Sequence, residues 1–183
     1  MSDITVITAT MPGRGSLLAE AMASVQAQTL EPADHLVTVD FIKRGGARPR
    51  NLLASAVATE WLATLDDDDA FYPQHLATLR EAATDADVVY SWCDVTGPDP
   101  WEQYNQPFDP DKLRQLSIVS HAALIRTELA LDLGGWPEQK GWDWLFWVKA
   151  LDAGAKFVCV PERTWLYRLD AGWWHESRPW LGR

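Results

Sequence analysis

The sequence has few cysteines and no long hydrophobic run. Cys93 and Cys159 lie far apart, and they match neither a disulfide framework nor a spaced zinc motif, so we expect a reducing compartment. No apolar segment reaches the ~18 residues of a membrane-spanning helix. The first residues lack the basic and apolar regions of a signal peptide. These absences predict a cytoplasmic protein without a membrane span.

Basic residues are also scarce. The chain has 16 Lys and Arg against 26 Asp and Glu, a formal net charge of −10 at pH 7. This balance argues against broad non-specific nucleic-acid binding, which needs a large basic surface. A local basic patch can still hold one phosphate-bearing ligand. With 183 residues, 47% of them hydrophobic, the chain is long enough for one sizeable core, and we expect a single domain over residues 1–183.

Tryptophan is abundant. There are 11, nine of them from Trp101 onward. Indoles are large and apolar with one hydrogen-bond donor, so most are expected in the core or in half-buried walls. A surplus beyond the needs of the core suits stacking on sugar rings or bases.

Strands and helices alternate through the first half of the chain. The predicted strands span residues 4–9, 35–39, 61–65 and 87–92, and the predicted helices span residues 16–28 (capped by Ser16), 48–58 and 73–83. This alternation predicts an α/β/α fold with a mainly parallel sheet and right-handed crossovers. In the less regular second half we predict helices at residues 110–115, 127–133 and 142–153 and strands at residues 118–125, 156–160 and 164–167.

Polar residues follow three of the predicted strands. They are residues 8–14, Asp40 and residues 66–69. In parallel α/β sheets, ligands bind beyond the carboxyl ends of the strands. These three segments are therefore expected to meet at one edge of the sheet and to form a binding site.

The run Asp66-Asp67-Asp68-Asp69 directly follows an apolar strand. Four adjacent carboxylates repel one another unless water or a cation screens them. Oxygen ligands of this kind suit Mg²⁺ or Mn²⁺ held together with substrate phosphates. A solvated acidic loop is the simpler alternative. A phosphohydrolase of the haloacid dehalogenase type also places Asp-x-Asp after a strand, but Ala70 and Phe71 do not continue that pattern.

Taken in order, the motifs resemble those of family 2 glycosyltransferases with the GT-A fold, from about Ile4 to Arg168. The resemblance rests on residues 7–14, 24–29, 37–40, 50–51, 64–69, 134–136, 142–144 and 167–168, followed by His175. It implies a Rossmann-like single domain with a nucleotide-binding half (residues 1–95) and a small acceptor-side half (residues 96–183).

The resemblance also implies roles for residues of the first half. The residues expected to bind the nucleotide-sugar donor are Thr8, Ala9, Thr10, Arg14, Asp40, Arg50, Asn51, Asp66 and Asp67. Asp68, Asp66 and His175 are expected to bind Mn²⁺ or Mg²⁺. For the arginines, the alternative is a surface salt bridge, which is common in so acidic a chain. His121 lies in a predicted strand and is expected to be a core histidine with its hydrogen bonds satisfied.

In the second half, Asp143 is the expected catalytic base, since it matches the Asp of the family's Glu-Asp pair. Alternatively, Asp143 only stabilises the first turn of the helix that follows. The tryptophans expected on the acceptor side are Trp136, Trp142, Trp144, Trp173 and Trp174. Trp173 and Trp174 are also candidates for a lid over the donor or for a homodimer contact.

The resemblance implies an inverting, metal-dependent transfer of a sugar from a nucleotide-sugar, with a UDP-sugar favoured, to an acceptor hydroxyl. The acceptor stays open between a glycan, a protein, a lipid and a modified base. Two other functions remain: a catalytically degenerate subunit that binds a nucleotide or a carbohydrate, and a nucleotidyltransferase. The latter needs a Gly-rich basic loop after the first strand, which residues 11–15 match only faintly.

Overall fold

The computed structural model describes residues 2–41, 46–97 and 102–169. Within them the strands are β1 (Ile4–Thr10), β2 (Asp34–Val39), β3 (Trp61–Thr64), β4 (Ala70–Phe71), β5 (Val88–Thr96), β6 (Ala123–Arg126) and β7 (Phe157–Arg168). The helices are α1 (Gly15–Gln26), α2 (Ala47–Ala54), α3 (His75–Glu81), α4 (Pro110–Leu113), α5 (Thr127–Asp132) and α6 (Trp142–Asp152).

The strands form one mixed sheet in the order β2-β1-β3-β6-β5-β7-β4. Strands β2, β1 and β3 are parallel, as are β5 and β7. Strand β6 is antiparallel to both β3 and β5, and β4 is antiparallel to β7. The parallel sheet predicted from the alternating elements is therefore found in the first half of the chain. Strand β6 runs in the opposite direction to β3, because it begins at the edge of the sheet where β3 ends.

Two layers of helices cover the sheet because successive strand residues point to opposite faces. On β3, Leu62 belongs to the core cluster that includes residues of α2, α5 and α6. Its neighbours Trp61 and Ala63 belong to the other cluster, with residues of α1 and α3. Trp61 and Trp147 are fully buried. The α/β/α layering and the core role of most tryptophans agree with the sequence.

Several elements differ from the predictions, and three of the differences have a structural reason. The strand predicted at residues 118–125 begins only at Ala123, because the chain turns at His121, whose carbonyl accepts hydrogen bonds from Ala123 N and Thr64 Oγ1. The two strands predicted on either side of Pro161 are one strand, β7. Its register shifts after Val160, which leaves room for a residue without an N–H. Helix α1 begins at Gly15 without a side-chain cap, so Ser16 is not its N-cap.

No helix in residues 2–41, 46–97 and 102–169 is both long enough and apolar enough to cross a lipid bilayer.

Candidate active site at the carboxyl edge of the sheet

The polar segments that follow β1, β2 and β3 meet at one edge of the sheet. Strands β1 and β2 end side by side, with Thr10 paired to Val39. The next residue, Asp40, donates its backbone N–H to the Thr10 carbonyl at 2.7 Å. Leu65, directly before the aspartate run, donates to the carbonyl of Ile7 at 3.1 Å. The parallel register thus brings residues 8–14, Asp40 and residues 66–69 together, as predicted.

Arg14 and Thr10 hold the two middle aspartates of the run. The Thr10 hydroxyl donates to Asp67 Oδ2 in a buried hydrogen bond of 2.6 Å. Arg14 Nη1 lies 3.2 Å from Asp67 Oδ1, and Arg14 Nη2 donates to Asp68 Oδ2. The Asp67 side chain is 4% exposed and that of Asp68 15%. Burial raises the pKa of both carboxyls, while the guanidinium of Arg14 favours their charged forms.

Arg50 joins the aspartate run to the predicted catalytic base. It lies in the first turn of α2 and is 3% exposed. Its Nη2 donates to Asp66 Oδ1, and its Nη1 donates to Asp143 Oδ1 at 2.8 Å. The guanidinium carbon also lies 4.5 Å from the centre of the Trp142 ring and 5.4 Å from that of Trp136. One buried cation therefore links two carboxylates that are 77 positions apart in the sequence (143 − 66).

The pKa of the Asp143 carboxyl is raised above the usual range of an aspartate. Burial raises its pKa to about 6; the Arg50 charge opposes that shift, the Asp66 charge adds to it and His121 opposes it. Asp143 side-chain exposure is 31%, so a small molecule can reach it. Asp143 also lies in the first turn of α6, where a negative charge stabilises a helix. The two roles predicted from the sequence, base and helix stabiliser, are compatible in this geometry.

Asp69 and His121 form a buried hydrogen-bonded pair beneath the run, in which burial raises the Asp69 pKa to about 7 while His121 opposes that shift. His121 Nε2 lies 2.7 Å from Asp69 Oδ2 and 3.5 Å from Asp66 Oδ2. The other Asp69 oxygen accepts the backbone N–H of Arg168 at 2.9 Å. Burial opposes the charge on His121, but the Asp66 and Asp69 carboxylates outweigh it and raise the His121 pKa to about 9. We therefore treat the imidazole as an imidazolium at neutral pH.

The carboxylates suit a divalent cation. Ligand atoms of Asp66, Asp69 and His121 lie within 4.8 Å of one another. An imidazolium has no free lone pair for a metal, so among these three residues the carboxylates are the candidate ligands. Burial opposes ionisation of Asp66, but His121, Arg50 and Arg14 outweigh it and lower the Asp66 pKa. Asp66 has the most exposed side chain of the three residues, at 34%. Hard carboxylate oxygens are the donors that Mg²⁺ and Mn²⁺ prefer, so the residues present fit such an ion.

The remaining predicted residues have different surroundings. The Thr8 hydroxyl is bonded to His35 Nε2 at 2.9 Å, and Ala9 is only partly buried between Thr8 and Thr10. Asn51 exchanges two hydrogen bonds with the backbone of Trp136, at 2.8 and 2.7 Å. Trp144 donates its indole N–H to the Leu113 carbonyl at 2.6 Å, which ties it to α4. Trp173, Trp174 and His175 lie outside the described residues.

Tyr104 is part of this region, although no motif pointed to it. Its ring centre lies 6.4 Å from that of His121 and 5.8 Å from that of Tyr167. Burial raises the pKa of its hydroxyl, and the charges of Asp143 and Asp66 add to the shift. Asn105, the next residue, fixes the loop through two hydrogen bonds to the backbone of Cys93, at 2.7 and 2.9 Å. Tyr104 could therefore be identified only from its contacts in the folded structure.

Comparison with known proteins identifies the family. The family model for glycosyl transferase family 2 matches residues 23–131, more than half of the chain. The chain therefore belongs to glycosyl transferase family 2, as its motifs predicted. The succinoglycan biosynthesis protein ExoW of Rhizobium meliloti (strain 1021) is 26% identical over 152 residues, covering 68% of this chain and 48% of ExoW. The chain thus spans about half the length of this curated relative.

Solved structures share the fold. Residues 1–349 of S. aureus TarS, in complex with UDP, superpose with a TM-score of 0.73 and 16% identity over 92% of this chain and 61% of that fragment. The mannosyltransferase PcManGT from Pyrobaculum calidifontis, in complex with GDP-Man and Mn²⁺, gives a TM-score of 0.66 and 18% identity, over 90% and 56% of the two chains. The predicted GT-A-like α/β fold is confirmed.

Proposed function

We propose that the chain is an inverting, metal-dependent glycosyltransferase that moves a sugar from a nucleotide-sugar to an acceptor hydroxyl. The observation that carries this proposal is the position of Arg50, whose guanidinium donates to both Asp66 and Asp143. It places a candidate base directly beside a carboxylate run suited to a metal–diphosphate. Departure of the diphosphate and attack by the acceptor both require this proximity, because they occur at the same anomeric carbon.

On the donor side, Asp66 and Asp68 are the proposed ligands of Mn²⁺ or Mg²⁺, and His175 is a further candidate. When bound, the ion neutralises charge on the leaving diphosphate. Asp40, which follows β2, is the proposed contact to the base of the nucleotide, and the proposed role of Thr10 and Asp67 is to stabilise the edge of the sheet beneath it. Arg50 keeps its positive charge near the diphosphate and excludes water with the two indoles that flank it.

On the acceptor side, Asp143 takes the proton from the attacking hydroxyl. The hydroxyl oxygen bonds to the anomeric carbon while the bond from that carbon to the diphosphate oxygen breaks, and the nucleoside diphosphate leaves. A single displacement of this kind inverts the anomeric configuration. The raised pKa of Asp143, about 6, makes it a stronger base than an exposed aspartate while it stays ionised at neutral pH. Trp142 is the proposed acceptor-side wall.

A UDP-sugar is the proposed donor. Two structures that share the fold are complexes of TarS with UDP and with UDP-GlcNAc, and the latter covers 94% of this chain. PcManGT is bound to GDP-Man instead, so the fold alone accommodates both nucleotides. The test must therefore compare uridine and guanosine donors directly.

The first experiment measures thermal unfolding with UDP, GDP, TDP and CDP, each with Mn²⁺ or with a chelator. A ligand at about 100 times its dissociation constant adds roughly 2.7 kcal/mol of stability. We expect a metal-dependent rise with UDP that Asp68→Asn abolishes. Asp85→Asn is the matched control, because the Asp85 side chain is 88% exposed. A rise unaffected by Asp68→Asn would contradict the metal assignment.

The second experiment measures release of UDP from UDP-sugars, with water or added saccharides as acceptors. Release that requires Mn²⁺ or Mg²⁺ and falls strongly in Asp143→Asn supports the transferase. Metal-dependent nucleotide binding without release from any donor would instead favour the degenerate binding subunit. Release of pyrophosphate from a nucleoside triphosphate would favour the nucleotidyltransferase.

A further inference from the structure

The carboxylate proposed to hold the metal already binds a cation of the protein itself. Arg14 Nη2 donates to Asp68 Oδ2, and Arg14 Nη1 lies 3.2 Å from Asp67 Oδ1. The Arg14 and Asp68 side chains are 17% and 15% exposed, so the pair lies at the mouth of the site rather than in the core. The guanidinium therefore neutralises Asp68 in the protein alone.

The backbone around Arg14 does not depend on this contact. Arg14 is the residue before α1, and it makes no side-chain cap to that helix. It lies between Gly13, which has a φ of +95°, and Gly15, and a Cβ built on either glycine meets nothing within 4 Å. Backbone hydrogen bonds hold the turn instead: Arg14 donates its N–H to the Met11 carbonyl at 3.3 Å, and its carbonyl accepts the N–H of Leu18 at 3.0 Å. The turn can therefore keep its shape when the Arg14 side chain changes rotamer.

Arg50 has opposite surroundings. It is 3% exposed and lies between the rings of Trp136 and Trp142. Moving its guanidinium would break both ring contacts and leave Asp66 and Asp143 without their buried partner, which is costly. Of these two arginines, Arg50 is fixed in place and Arg14 is able to exchange partners.

A divalent cation at Asp68 competes with the guanidinium of Arg14, because like charges a few ångströms apart repel in a partly buried site. The ion alone weakens the contact of Arg14 with Asp68 and brings it no new anion. An ion that arrives with a diphosphate supplies one, since the arginine fork suits phosphate oxygens. Metal binding and nucleotide binding are then coupled through one side chain.

We infer that Arg14 is an exchangeable positioning residue: it leaves Asp68 for the donor diphosphate and so makes metal binding depend on the nucleotide. The inference rests on the proposed function and adds an order to it, in which the protein binds the metal–nucleotide complex in preference to the free ion. The reciprocal effect follows by linkage, since the metal must tighten the nucleotide by the same factor.

The test measures Mn²⁺ binding from the EPR signal of the free ion, with wild type and Arg14→Met, without nucleotide and with UDP or GDP. We expect the nucleotide to tighten Mn²⁺ binding to the wild type by about tenfold or more. In Arg14→Met, Mn²⁺ alone should bind about tenfold more tightly, and the effect of the nucleotide should fall below about threefold. Arg80→Met is the control, because Arg80 pairs with Asp3.

Equal or weaker binding of Mn²⁺ alone to Arg14→Met, or an undiminished nucleotide effect, would overturn the role of Arg14 and leave the proposed function standing. Absence of both Mn²⁺ and nucleotide binding in the wild type would overturn the proposed function, and the inference with it. If circular dichroism shows that Arg14→Met is unfolded, Arg14→Lys replaces it. A lysine keeps the charge but not the fork, so weaker coupling than in wild type is expected, and unchanged coupling would contradict the inference.

Discussion

The guanidinium of Arg50 lies 2.8 Å from Oδ1 of Asp143, and both side chains come from the first turns of their helices, α2 and α6. This contact holds the carboxylate of the candidate base against the guanidinium of Arg50. It also sets the balance between burial, which raises the pKa of Asp143, and the neighbouring positive charge, which lowers it. Two predictions concern this pair.

The first prediction is that Asp143→Asn lowers turnover by about 10²- to 10⁴-fold. The amide keeps the size of the side chain and can still accept a hydrogen bond from Arg50, so nucleotide binding should stay within about threefold of wild type. Steady-state rates with titration calorimetry for UDP provide the measurement. Turnover close to wild type would place the base elsewhere.

The second prediction concerns the pH profile. Asp143 must be ionised to accept a proton, so turnover should rise with pH through about 6, the pKa of Asp143. Arg50 lowers that pKa, so Arg50→Gln should move the rising limb to higher pH as well as lowering the maximum rate. Arg114→Gln, at a 50% exposed position paired with Asp152, should leave the midpoint unchanged. A midpoint that stays in place in Arg50→Gln would contradict this assignment.

The sequence was sufficient for the parts of the fold with clear local signals. Strands β1 and β3 and helix α6 lie within about two residues of the predicted bounds, because the two strands are short apolar runs and Gly154 ends the helix. The two-residue strand β4 was not predicted, since a pair of residues has no period and Ala70–Phe71 pairs only through β7.

Within the site, the sequence placed the carboxylates but not their partners. The strand-end rule brought residues 8–14, Asp40 and residues 66–69 together. The pairing of His121 with Asp69 could not be predicted, because it depends on where the chain turns before β6. Asp69 received only a supporting role from the sequence, yet its side chain is 0% exposed and bonds both His121 and the Arg168 backbone.

The third prediction follows from the His121–Asp69 pair. The pKa of His121 is raised to about 9 in the folded protein, above its ordinary value of 6.5. The resulting stability is fully present below about pH 6.5 and is lost as the pH rises through about 9. The free energy of unfolding should therefore fall over this window. Urea denaturation at several pH values measures it.

His121→Gln provides the control for the third prediction, because glutamine can donate to Asp69 but does not titrate. Its unfolding free energy should be lower than that of wild type at pH 6.5 and should fall less up to pH 9, with the remaining fall coming from Asp69, whose pKa is raised by burial. A fall of equal size in His121→Gln would show that another group produces the pH dependence.

The fourth prediction tests the contact between α2 and the Gly134-Gly135-Trp136 turn. Gly135 has a φ of +74°, and a Cβ there would lie 2.2 Å from Asn51 Oδ1. Gly134 has a similar φ, +70°, and nothing within 4 Å of its Cβ position. Gly134→Ala should therefore cost only the backbone strain, about 1–2 kcal/mol. Gly135→Ala should cost more, because it also displaces Asn51 and breaks its two hydrogen bonds to Trp136.

Chemical denaturation of both alanine variants, and of each combined with Asn51→Ala, measures the difference. Once Asn51 is truncated, the two glycine positions should become nearly equal in cost. Equal costs while Asn51 is present would mean that its amide moves aside freely.

The stacking of Arg50 between Trp136 and Trp142 has an optical consequence. The emission energy of an indole depends on the electric field across its ring, and here the nearest charge is a guanidinium at 4.5 Å from the Trp142 ring centre and 5.4 Å from that of Trp136. Any ligand that brings phosphate charge to this guanidinium alters the field at both rings. The protein thus carries an intrinsic fluorophore pair at the point where its donor is proposed to bind, and occupancy can be followed without a label.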